Sequence, residues 1–137
     1  MKKIFWPGIV AGALLLIIGM GLNYLLNLIF PPVAAEYNNT AIFRPWNDPL
    51  MSIFFAYPIV LGIILAWVWD KTKILFSGNL GGRALNFAIF FWLIASIPGM
   101  IITYGSFQVS LLMVIIWLIS GFINGIIAGL VFGKMNK

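Results

Sequence analysis

Four apolar runs govern what this chain can become: about residues 4–30, 50–69, 84–104 and 108–133, none of which contains Asp, Glu, Lys or Arg. A helix that crosses a bilayer needs about 20 mostly apolar residues. Each run meets that length, and short connections use up the rest of the 137 residues. With 63% hydrophobic and 8% charged residues, the chain lacks the polar side chains that cover a soluble exterior. The expected fold is all-α: one transmembrane domain over residues 1–137, a bundle of four antiparallel membrane helices.

Span one is expected from Ile4 to Phe30, with Pro7 in its first turn, where proline is tolerated. Pro31-Pro32 is expected to end it. Span two follows Pro49 and runs from Leu50 to Trp69, closed by Asp70-Lys71. Span three covers Ala84 to Tyr104, and span four Gln108 to Gly133, ending at Lys134. The very short link between spans three and four makes them antiparallel neighbours. Lys2, Lys3, Lys71, Lys73, Arg83, Lys134 and Lys137 then fall on one side of the membrane, and only Arg44 on the other. Basic residues mark the cytoplasmic side, so both termini are expected there. Lys2-Lys3, an apolar run and Val33-Ala34-Ala35 also fit a cleaved signal peptide. The run is longer than a usual signal core, which favours a retained anchor helix.

Several function classes drop out. Without Cys there is no disulfide framework or thiolate metal site. Without His the commonest metal ligand and general base is missing. No cofactor or metal is expected. The net charge of +5 does not point to nucleic acid, because the basic residues sit singly or in pairs at span edges. Proton-coupled pumps and small multidrug exporters need a carboxylate within the membrane, and no span carries one. The arginine-bearing glycine motif of fluoride channels is absent as well. Gly81-Gly82 lacks the Gly-Lys-Ser/Thr ending of a phosphate loop.

What remains is packing and polar placement. Gly121, Gly125, Gly129 and Gly133 recur every four residues in span four, and span one carries Gly8, Gly12 and Gly19. Small residues let membrane helices approach closely. The expectation is that spans one and four pack on each other; a sharper alternative makes span four a homo-oligomer interface. Asn23, Asn27, Tyr57, Ser96 and Thr103 lie at similar depth, with Pro58 and Pro98-Gly99 interrupting two helices nearby. Broken helices beside convergent polar groups resemble a transporter site. The plainer reading is hydrogen bonding between helices.

Residues 31–49 form the one sizeable loop, and they hold Glu36, Asp48 and Arg44. Tyr37, Phe43 and Trp46 suit the headgroup level. An ordered cap on the outer mouth is expected. Arg44 either clamps a lipid phosphate or carboxylate, or pairs with Asp48 or Glu36. The two carboxylates lack the nucleophile or metal ligand that an enzyme would need.

The run Phe43-Arg44-Pro45-Trp46-Asn47-Asp48-Pro49-Leu50-Met51-Ser52, with Trp67-Val68-Trp69-Asp70-Lys71-Thr72-Lys73 after the next span, resembles a group of small prokaryotic four-helix membrane proteins. The resemblance implies the same architecture in a prokaryotic cell membrane. It implies no activity, cofactor or catalytic residue. The functional expectation is a non-enzymatic accessory or interaction subunit. Its partners would be membrane lipid at the outer loop and another membrane protein or itself. The alternative is a small channel or transporter built on the neutral polar residues.

Overall fold

The computed structural model describes residues 2–136, which leaves Lys137 outside the described residues. Six α-helices follow in order: α1 (Lys2–Ile29), α2 (Pro31–Tyr37), α3 (Ser52–Thr72), α4 (Leu80–Phe91), α5 (Ile97–Ser106) and α6 (Leu111–Met135). Short 3-10 turns, Pro49–Met51 and Lys73–Leu75, flank α3. A π-helical segment, Trp92–Ser96, joins α4 to α5. No strand occurs among the described residues. Four stretches are long and apolar enough to cross a membrane: Lys2–Ile29, Pro49–Leu75, Leu80–Ser106 and Leu111–Met135. These make the chain a multi-pass, all-helical membrane protein.

The boundaries differ from the sequence expectation where capping side chains act. Pro31-Pro32 follows the end of α1 but also opens α2, because proline lacks only a donor that the first turn leaves unused. Span three starts at Leu80 rather than Ala84. The Asn79 side chain accepts a 2.8 Å bond from the Gly82 N–H, which caps the helix and draws Gly81-Gly82 into its first turn. Span four starts at Leu111 rather than Gln108, because Ser110 accepts from the Met113 N–H at 3.1 Å. Span two continues past Trp69 to Thr72 and the turn beyond it.

Two helix pairs build the bundle. α1 lies along α3, α4 lies along α6, and contact between α1 and α6 joins the pairs. The glycine stripes do not meet each other as expected. Span one's stripe faces α3: a Cβ placed on Gly8 would sit 2.6 Å from the Ile63 Cα, and one on Gly12 2.6 Å from the Ile59 Cα. Span four's stripe faces α4: a Cβ on Gly125 would sit 2.9 Å from the Ala88 Cα, and one on Gly129 2.8 Å from the Ala84 Cα. Gly121 faces Ser96, and Gly133 faces Leu80 and Trp69. Each stripe is matched by small residues on the facing helix, Gly62 for α1 and Ala84 with Ala88 for α6. The span-four groove is therefore occupied by the chain's own α4, with Ser96 in front of Gly121. Gly19 differs from the rest, since a Cβ there would meet nothing within 4 Å.

Two buried clusters hold the ends. Trp69, Phe76, Phe87 and Phe132 gather at the end where Lys2, Lys71, Arg83 and Lys134 lie, here called the basic end. Val33, Val109, Met113, Val114 and Ile116 gather at the other, the loop end.

Candidate functional site

At the loop end, residues 31–51 are tied to α6. The Glu36 carboxylate accepts a hydrogen bond from the Ser110 N–H, at the start of α6. The Trp117 indole N–H donates to the Tyr37 hydroxyl at 2.6 Å. Phe43 packs 5.3 Å from the Tyr37 ring and edge-on to Trp117 at 6.3 Å. Val33 is fully buried beneath them. Burial raises the Tyr37 phenol above its ordinary pKa.

Arg44 pairs with Asp48 at 2.9 Å. The other Asp48 oxygen accepts from the Leu50 N–H at 2.8 Å and caps the turn into α3. Trp46 sits edge-on to Phe54 at 5.6 Å. The Leu50 N–H first, and Arg44 second, hold the Asp48 carboxyl below the usual carboxylate range. A depressed pKa stabilises the fold above the unfolded value of about 3.9, and that gain is lost as pH falls through the folded value. Hydrogen-exchange protection of residues 44–52 is therefore expected to stay flat from about pH 8 to 5 and to fall below about pH 4. A loss already complete at pH 6 would remove Asp48 as the cause.

The five candidate pocket residues are spread out. The Asn27 amide donates to the Asn23 side-chain oxygen at 2.8 Å, within α1. The Thr103 hydroxyl donates to the Gly99 carbonyl at 2.8 Å, within α5. Ser96 fills the space in front of Gly121. Tyr57 is 58% exposed on the outer surface of α3. Only Asn23 and Asn27 are joined by a side-chain bond between members of the set. Two cavities are formed by other residues. One, of about 330 Å³, lies at the loop end among Asn39, Ile42, Ser106 and Gln108. The other, of about 320 Å³, is a wholly apolar groove between α3 and the α4–α5 span, walled by Leu61, Ile64 and Val68 opposite Phe90, Ile94 and Ala95.

The densest polar arrangement lies at the basic end, and the sequence reading did not single it out. The Trp69 indole N–H donates to the Asn136 carbonyl at 2.9 Å. Asn136, itself buried, donates its amide to Asp70 at 3.1 Å and accepts from Lys73 at 2.8 Å. Lys73 also pairs with Asp70 at 3.3 Å. The Arg83 guanidinium lies 5.2 Å from the Trp69 ring centre, a cation–π contact between α4 and α3. Phe87, Phe76 and Phe132 surround that ring at 5.2, 5.8 and 6.1 Å. The residues come from α3, the following turn, α4 and α6. No single-span periodicity links them; only the register of the parallel helices α3 and α6 would have done so.

No family model matches this chain, and no curated protein or solved structure is similar to it.

Proposed function

We propose that this chain is a non-enzymatic subunit of the membrane that binds a transmembrane helix of another protein, or of a second copy, at its loop end. One observation carries the reading. At the basic half the stripe glycines are filled by the chain's own helices, whereas a Cβ on Gly19, Gly21, Gly99 or Gly105 would meet nothing within 4 Å. Gly19 and Gly21 lie in the loop-end half of α1, and Gly99 and Gly105 in α5, the loop-end part of span three. Helix α5 buries none of its own residues. Glycine in a helix interior costs about 1 kcal/mol relative to alanine. A close-packed partner helix offsets that cost through dispersion contacts.

The chain's three carboxylates support a role without chemistry. Glu36 holds Ser110, Asp48 holds Leu50 and Arg44, and Asp70 holds Asn136 and Lys73. The bias of basic residues to one end supports an orientation with both termini in the cytoplasm by the positive-inside rule. The loop then lies outside, with Trp46, 64% exposed, and Arg44 at the level of the lipid headgroups.

Native mass spectrometry of the protein released gently from its own membranes tests this. A complex of fixed stoichiometry is expected. Gly99→Leu or Gly19→Leu should dissociate it while leaving the melting temperature of the chain unchanged. A monomer from the unaltered protein would sink the proposal. A monomer carrying one small polar molecule would turn the reading towards solute binding at Asn23 and Asn27.

A further inference from the structure

We infer that the apolar groove between α3 and the α4–α5 span holds an acyl chain of an anionic phospholipid, whose phosphate sits between Lys71 and Arg83. The groove is lined by apolar side chains alone, and its rim residues Ile64 and Ile94 are more than half exposed, so it opens to lipid. An apolar void beside lipid does not stay empty, because unfilled walls forfeit their dispersion contacts. A helix, about 10–12 Å across with its side chains, is too wide for a crevice of about 320 Å³. A single hydrocarbon chain is far narrower and suits the lining.

Both walls run into a cation at the same end. On α3 the lining positions Leu61, Ile64 and Val68 continue, at helical spacing, to Lys71, which is exposed. On the facing helix the lining residue Phe90 lies two turns of α4 from Arg83, on the same side of that helix. Val68 and Lys71 are separated by about 5 Å along the helix axis, so a phosphate at Lys71 starts its chain at the groove. Arg83 spans the two walls, since its guanidinium lies on the Trp69 ring of α3. Its Nε is buried and bonds no acceptor among the described residues. A planar guanidinium is suited to phosphate oxygens.

Charge selects the headgroup. Lys2, Lys3, Lys71, Lys73, Arg83 and Lys134 share this end with a single acidic side chain among the described residues, Asp70, which already holds Asn136 and Lys73. Such an end attracts an anionic lipid over a zwitterionic one. The inference stands apart from the partner reading, because it uses the opposite end of the bundle.

The test is native mass spectrometry of the full chain in detergent, titrated separately with dioleoyl phosphatidylglycerol and dioleoyl phosphatidylcholine. One phosphatidylglycerol is expected to be retained about tenfold more tightly than phosphatidylcholine. Lys71→Gln, at an exposed position that leaves the fold intact, should weaken phosphatidylglycerol about fivefold and leave phosphatidylcholine unchanged. Arg83→Gln should do the same. Ala95→Trp, which fills the groove from an exposed wall position, should remove both lipids. Lys134→Gln, at the same end but on neither wall, should weaken phosphatidylglycerol less than about twofold. Equal retention of the two lipids overturns the inference. So does a Lys134→Gln effect as large as that of Lys71→Gln, or an Ala95→Trp protein that binds as the parent does.

Discussion

Gly62→Ala is expected to destabilise the chain by about 3 kcal/mol, a large effect for one added methyl group. A Cβ on Gly62 would press on the Gly8 carbonyl oxygen and come within 2.6 Å of the Gly12 nitrogen and 2.8 Å of the Gly12 Cα. All three atoms are backbone, so no side chain can swing away. Helix α1 must move off α3 as a whole, and the contact along both helices is lost with it. Alanine is the better helix former by about 1 kcal/mol, so helix propensity acts against the expected result. Gly19→Ala supplies the contrast, because its methyl group enters open space. Thermal unfolding in one detergent, followed by circular dichroism, should show Gly62→Ala melting well below the parent and Gly19→Ala at or above it. Equal melting of the two variants would mean that α1 and α3 are not in backbone contact.

Trp69→Ala is expected to cost about 3 kcal/mol or more. The side chain is fully buried and touches the rings of Phe76, Phe87 and Phe132. In a membrane the transfer of apolar surface contributes little, since lipid is itself apolar. The loss comes from the cavity and its missing dispersion contacts, from the bond to the Asn136 carbonyl, and from the Arg83 contact. Trp69→Phe separates these parts. It keeps a ring in the cluster and loses the indole donor, for about 1 kcal/mol. If Trp69→Ala melts with the parent, the aromatic cluster does not hold the basic end together.

How far the sequence revealed these features depends on the range over which each signal acts. The four spans were legible because bilayer thickness sets a length, and a length can be read along one chain. Helix starts were missed where a single side chain, Asn79 or Ser110, moves the boundary by three or four residues. The glycine stripes were legible as contact devices, but not their partners. Gly62, Ala84 and Ala88 are ordinary small residues until the facing stripe is known. The polar set looked convergent because depth was judged along each span. The Thr103 hydroxyl instead bonds within its own helix. The π-helical segment at Trp92–Ser96 adds a further obstacle, since it shifts which residues of span three share a face on either side of it. The cluster around Trp69 joins four segments and left no trace in any of them.

The two ends of the bundle share a dependence on α6. At the loop end, Glu36 and Tyr37 are held by Ser110 and Trp117, 74 and 80 residues later in the chain. At the basic end, Trp69 is held by Asn136, 67 residues later. Neither closure exists while the first three spans alone have left the ribosome. Helix α6 thus acts as a bolt at both ends of the bundle, and neither end closes before α6 has been inserted.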